Sequence, residues 1–155
     1  MGVRPRREIS IMSITCDIGT IEDVLAIDSK ISEFEEYNTL QKLNNRLLNK
    51  TSLILIAKYN GELAGYKIGY DLTDTEFYSW LGGVLPDYRN LGIASKLREK
   101  QECWALNSGY SLISVKSMNR FSSMLHLLIS SGYKISGYED NGTIDNSKIK
   151  FVKLL

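Results

Sequence analysis

A mixed α/β (α+β) domain, with a central mixed and mostly antiparallel sheet of about seven strands and four flanking helices, is the fold class that three observations predict. Apolar periodicity changes along the chain in the order β-α-α-β-β-β-α-β-α-β-β. Strand and helix patterns alternate only in the second half, which argues against a wholly parallel sheet. Asn60-Gly61, between two β-like runs, is a strong tight-hairpin signal.

The first strand falls within residues 9–16. Thr20 or Asp17 can cap a helix over 21–31, where Val24, Leu25, Ile27 and Asp28 make an incomplete apolar stripe. Leu40, Leu43, Leu47 and Leu48 recur at helical spacing in a second helix over 35–48. Strands over 52–59 and 63–70 flank the Asn60-Gly61 turn, and the polar turn Thr73-Asp74-Thr75 leads into a strand over 76–84. A helix over 93–107 carries Ile93, Ala94, Leu97, Trp104 and Ala105 on one side and closes at Ser108-Gly109. Residues 111–115 read as a buried strand. Phe121, Met124, Leu125 and Leu128 then sit at offsets zero, three, four and seven in a helix over 120–130, which Gly132 ends. The last strands cover 133–138 and 148–154, with Asn141-Gly142 between them. No repeat or linker interrupts this order. A basic tail over residues 1–8, bearing Arg4, Arg6 and Arg7, is expected to precede a single domain over 9–155.

The 155 residues, 43% hydrophobic and 24% charged, have ordinary globular values and enough length for a core. A net charge of +1 gives no overall field toward nucleic acid. No apolar run has the length of a membrane span, and Glu8, Ser10 and Asp17 interrupt any signal-like core, so a cytoplasmic protein with no membrane partner is expected. Cys16 and Cys103 are isolated and His126 is the single histidine, which argues for a reducing compartment and against a metal site. On its helix Cys103 reads as a small buried residue, and His126, spaced by four from Ser122 and Ser130, as polar surface.

The chemistry-bearing stretch is Val84-Leu-Pro-Asp-Tyr-Arg-Asn-Leu-Gly-Ile-Ala-Ser95. A strand that turns tightly into a helix leaves the first-turn N–H groups unpaired at the positive end of the helix dipole, which suits an anion. Arg89 adds a fork-shaped cation and Gly92 permits close approach of a diphosphate. The expected contacts are Arg89, Asn90, Leu91, Gly92, Ile93, Ala94 and Ser95; a plain turn is the rival reading. Neither a Walker loop nor the three-glycine dinucleotide fingerprint is present. Gly82-Gly83, inside an otherwise good strand, suggests a bulge or the approach of another backbone-like group, with a bend and no ligand as the rival.

The spacing Arg-x-x-Gly-x-Ala at Arg89, Gly92 and Ala94 resembles the diphosphate loop of the Gcn-five-related N-acetyltransferases, the GNAT superfamily. The element order is that family's over roughly residues 14–155. Asn60-Gly61, Gly65-Tyr66, the run from Val84 to Ala94, and Met124 through Leu128 to Gly132-Tyr133 are local matches. The strings Phe77-Tyr-Ser-Trp-Leu-Gly-Gly-Val-Leu-Pro86 and Asn119-Arg-Phe-x-x-Met-Leu125 are similar to an uncharacterised bacterial and archaeal branch. The resemblance implies the acyl-CoA N-acyltransferase fold, splayed between the fourth and fifth strands. Acetyl-CoA is the implied co-substrate, its pantetheine running as a pseudo-strand beside Gly82, Gly83 and Val84. The implied reaction is transfer of acetyl to a primary amine by direct attack in a ternary complex. A small molecule, a peptide N-terminus and a protein lysine all remain open as acceptor, as does a homodimer. A non-catalytic acyl-CoA-binding or sensing module, and a generic anion or partner site, are the rival functions.

The family's usual catalytic pair is missing. The position of its thiolate-protonating Tyr is Leu128 here, on the core stripe, and that of its strand Glu is Tyr78. Tyr78 and Trp80 alternate on one strand face with Gly82 next in line, so Tyr78 is a candidate to relay a proton or hold the acceptor; aromatic core is the rival reading. Glu76 is a candidate base through water, or a solvated strand end. Glu33, from the group Glu33, Glu35 and Glu36 between the first two helices, is a candidate to draw a cationic amine and act as base, or part of a solvated helix start. Asn119 is expected either to touch the coenzyme or to cap the last helix.

Overall fold

The computed structural model describes residues 13–31 and 38–155. Period-two apolar patterns set the sheet. In β2 (Ser52–Tyr59), Leu53, Leu55 and Ala57 enter one buried cluster while Ile54 and Ile56 enter the other, so both faces of the strand are covered. Around it stand β1 (Ile14–Ile18), β3 (Glu62–Asp71), β4 (Glu76–Val84), β5 (Leu112–Met118), β6 (Lys134–Glu139) and β7 (Lys148–Leu154), in the spatial order β1-β2-β3-β4-β5-β7-β6. Every neighbouring pair is antiparallel except β4 and β5. Asn60 and Gly61, with φ of 48° and 86°, make the β2–β3 turn in the left-handed conformation that Asn and Gly tolerate.

The helices cover the two faces. Helix α1 (Ile21–Asp28) and α2 (Leu40–Leu47) enclose Val24, Ile27, Leu43, Tyr66 and Ile68. Helix α3 (Ile93–Asn107) and α4 (Ser122–Ser130) bury Ile93, Leu97, Ala105 and Leu128 with Phe77 and Phe151 on the other side. None of the described helices is long and apolar enough to cross a membrane.

Local chemistry moved some expected boundaries. Helix α1 opens with a reciprocal cap between Thr20 and Asp23, but stops at Asp28 rather than 31, where the Ser29 hydroxyl donates to the Ala26 carbonyl at 3.2 Å. Helix α2 starts late because the Thr39 hydroxyl accepts from the Lys42 amide at 3.1 Å; the expected earlier residues 35–37 lie outside the described residues, as do the basic tail and the start of the first expected strand. Strand β5 runs three residues past expectation because β7 pairs with it as far as Met118 and Lys148.

Gly69 shows how tightly β3 meets β4. A Cβ there would stand within 2.8 Å of the Tyr78 carbonyl oxygen and still closer to the Phe77 ring. Gly69→Ala is therefore expected to destabilise the chain by about 2 kcal/mol, an overpacking cost readable as a lower urea midpoint with unchanged slope.

Candidate active site

Strand β4 has two halves. Residues 76–79 pair with β5, from Glu76 opposite Leu112 to Ser79 opposite Val115, whereas, among the described residues, 81–84 pair only with β3 and 116–118 only with β7. The two parallel strands therefore part, and one main-chain edge of β4 faces no strand among the described residues. A bulge begins the parting: Gly69 lies opposite Ser79 and Ile68 opposite Leu81, leaving Trp80 as the extra residue. The irregularity is thus at Trp80, earlier than the Gly82-Gly83 pair that the sequence pointed to. It also changes the faces. Trp80 and Leu81 both pack against the α1–α2 cluster, and Tyr78 shares that side, its ring 5.4 Å from Tyr70. Gly82 does not follow them; it pairs with Lys67, whose charge interacts with Arg98 and Glu102 of α3. The expected line Tyr78-Trp80-Gly82 is broken because the extra residue shifts the alternation by one.

The free edge leads directly into the loop before α3. One 3-10 turn (Pro86–Tyr88) and left-handed Asn90 and Gly92, at φ 63° and 84°, bring the chain round into the helix. Gly92 is the helix N-cap, with no side chain to close it, and among the described residues no atom beyond its chain neighbours lies within 4 Å of where a Cβ would be. The first intrahelical bond is Lys96 N–H to Gly92 O at 3.0 Å. Among the described residues nothing accepts from the amides of Asn90, Leu91, Gly92, Ile93, Ala94 or Ser95. Arg89 lies back across the loop, its Nε donating to the Val84 carbonyl at 3.1 Å. It is a loop fastener as well as the local cation. Ile93 anchors the helix start by burying its side chain.

The sequence matches the acetyltransferase (GNAT) family over residues 21–126. The chain belongs to that family. No curated protein matches the sequence significantly. The fold is similar to that of Ard1 from Thermoplasma volcanium, with a TM-score of 0.79 at 14% identity over 92% of this chain and 97% of that one. A GNAT family acetyltransferase from Elizabethkingia anophelis, solved with acetyl-CoA bound, aligns with a TM-score of 0.71 at 20% identity over 92% and 98%. Arabidopsis thaliana Naa50, solved with a bisubstrate analogue joining CoA to a peptide, aligns at 0.74 with 15% identity over 91% and 98%. Family membership makes this GNAT protein an acyl-CoA-dependent N-acyltransferase with acetyl-CoA as co-substrate.

The GNAT fork sorts the catalytic candidates. Tyr78 sits one residue before the parting, 9% exposed, with Lys116 Nζ 6.0 Å from its ring centre. Burial first, then the neighbouring Tyr70, pushes its hydroxyl up to about 12, so at neutral pH it is a donor and not a base. Glu76 lies at the paired end, where its Oε2 accepts from the Ser114 hydroxyl at 3.1 Å. Four residues of strand, roughly 13 Å, separate it from the fork, so Glu76 is not placed to take a proton there. Glu33 lies outside the described residues. Asn119 neither caps α4, whose N-cap is Phe121, nor leaves its amide nitrogen available: Nδ2 donates to the Ile144 carbonyl at 2.9 Å, tying β5 to the β6–β7 connection. Leu128 is buried at 3% exposure and His126 is exposed. Cys103, expected to be buried, is exposed, because α3 turns Gln101 and Ala105 inward and its own position outward.

Three groups escaped the sequence reading. Lys67 lies beside Gly82, and its signal was a lone lysine inside the apolar run of β3. Lys116 pairs with Glu139 at 3.1 Å, and that hydrogen bond holds the Glu139 carboxyl below its usual range. Arg46 stands 4.8 Å over the Trp80 ring and donates to the Tyr70 hydroxyl at 3.1 Å. The last two are contacts between distant elements, and no local pattern announces them.

Proposed function

We propose that the chain moves acetyl from acetyl-CoA to a primary amine by direct attack in a ternary complex. The diphosphate would lie on the α3 amides beside Arg89 and the pantetheine along the free edge of β4 at Gly82, Gly83 and Val84. One observation carries this reading: among the described residues, an unpaired strand edge runs without a break into a loop whose amides have no acceptor. Main-chain donors of that kind match the amides of pantetheine and the oxygens of a diphosphate. A preset N–H on the same edge can also receive charge developing on a thioester oxygen. The acceptor must lose a proton first, since alkylammonium groups titrate near 10.4. Direct attack needs no enzyme nucleophile, so the reaction does not require Cys103. The test pairs two measurements: coenzyme A should raise the melting temperature, and free thiol should appear from acetyl-CoA when an amine is added. A shift without thiol release would identify a binding module instead.

The acceptor side has its own chemistry. Lys42, Arg46 and Lys50 recur every four residues on one face of α2 and just beyond it, and the helix contains no acidic residue. Like charges at that spacing weaken a helix, so the stripe opposes local stability. Beside Tyr78, Arg46 donates to the Tyr70 hydroxyl and Lys50 stands 5.2 Å from the Tyr70 ring centre. This supports an acceptor that carries an anionic group near its amine, whether small molecule or peptide. Such an amine should be acetylated with about tenfold higher kcat/KM than its neutral amide, and Arg46→Glu should remove the preference.

A further inference from the structure

We propose that Lys67 is the acid that protonates the departing coenzyme thiolate, its ammonium lying against Gly82 where β4 has left β5. The assignment rests on the acetyltransferase reading and supplies a residue that it lacks.

Lys67 interrupts the most buried strand of the sheet, between Tyr66 at 1% and Ile68 at 0% exposure, and is itself only partly exposed. Gly82, opposite it, has no side chain, and the Lys67 Cγ and Nζ both come within 3.7 Å of where a Cβ would stand. A larger residue at 82 would fill the space that the lysine uses. Among the described residues the ammonium has no hydrogen-bond partner and no ion pair within contact. The nearest opposite charge, Glu102 of α3, is already taken: Lys153 Nζ donates to it at 2.8 Å, Arg98 Nη1 at 2.9 Å and the Tyr133 hydroxyl at 3.0 Å. A cation kept apart from its counter-charge, beside an unpaired strand edge, is poised for something that becomes negative there.

Its proton affinity suits that task. Burial lowers the Lys67 pKa to about 8, with Glu102 pulling it up and Arg98 pushing it down. An acid is most effective when it titrates near working pH. As the carbon–sulfur bond breaks, the electron pair goes to sulfur. A Lys67 N–H proton passes to that sulfur, giving the free thiol and a neutral amine that water reprotonates. Leu128, at the family's usual acid position, has no proton to give.

Two variants and two readouts test this. Lys67→Met should lower kcat about 100-fold, leave the desulfo-coenzyme A dissociation constant within about threefold, and abolish the fall of kcat as pH rises through about 8. Lys67→Arg keeps the charge but cannot give up its proton, so it should bind coenzyme normally and turn over as slowly; it also serves if the Met variant fails to fold. Independently of turnover, calorimetric titration near pH 8 should show wild type binding coenzyme A about tenfold tighter than desulfo-coenzyme A, a preference lost in Lys67→Met. Turnover within threefold of wild type in either variant, or an unchanged alkaline limb, overturns the assignment while leaving the acetyltransferase reading intact. A wild-type chain that binds no coenzyme A overturns both.

Discussion

Asp28→Ala is expected to lower the melting temperature by about 10 °C. Asp28 is 1% exposed, yet it closes α1 with a carboxylate. Its Oδ1 accepts from the Tyr66 hydroxyl at 2.8 Å and from Asn38 Nδ2 at 3.2 Å, and its Oδ2 accepts from the Asn38 amide at 2.9 Å. Three elements thus meet at one carboxylate: α1, β3 and the residues before α2. Tyr66 is held strongly in its protonated form, by burial first and then by the Asp28 charge and hydrogen bond, so it remains the donor throughout the working range. Removing the carboxylate leaves the phenol and the Asn38 donors without their acceptor in a buried place, costing about 3 kcal/mol. In a domain of this size each kcal/mol corresponds to roughly 2–4 °C. Asp28→Asn keeps an acceptor for Tyr66 but presents an NH2 to Asn38, so about half the loss is expected. A calorimetric scan of the two variants decides the matter: melting temperatures within about 2 °C of wild type would show that the cluster contributes little.

Arg89→Glu is expected to abolish the stabilisation conferred by coenzyme A while leaving the free protein folded. The substitution removes the Nε–Val84 bond that lays the side chain across the loop, and puts a negative charge where a diphosphate would sit. A charge reversal at about 5 Å, at the effective dielectric of a protein surface, is worth several kcal/mol, or a loss of affinity of about 100-fold or more. At a coenzyme concentration of about 100 times the wild-type dissociation constant, wild type gains ~2.7 kcal/mol and the variant only ~0.4 kcal/mol. The contrast is visible in a thermal-shift titration. Arg89→Gln, which removes the charge without reversing it, should fall between the two. A full coenzyme-induced shift in Arg89→Glu would remove Arg89 from the site and weaken the diphosphate assignment of the loop.

Legibility in the sequence followed the range of the interactions. Strands β2, β4 and β7 and helix α3 begin and end where periodicity puts them, because apolar spacing and turn residues are properties of consecutive side chains. Thr39 shows the limit even locally: Leu40, Leu43 and Leu47 all lie within α2, and it is the Thr39 cap, not the leucine spacing, that marks where the helix starts. The end of β5 was hidden for another reason, since β7, thirty residues downstream in the chain, supplies the partners of its last residues. Catalytic candidates fared by the same rule. The amides before α3 belong to a short string and could be read directly, whereas Glu76 and Asn119 were drawn to Ser114 and Ile144 by elements that only folding brings near.

Amino-acid order alone determined the mixed α/β class, the position of the loop whose amides lack helical partners, and that Leu128 and Tyr78 stand where the family resemblance expects an acid and a base, because each depends on residues within a few steps of one another. Tertiary structure decided where β4 leaves β5, that the extra residue is Trp80, and therefore that Gly82 faces Lys67 and not Tyr78. A bulge exists only relative to the register of a partner strand, and a lysine's proton affinity depends on what surrounds it in space. Neither is a property of a stretch of chain by itself.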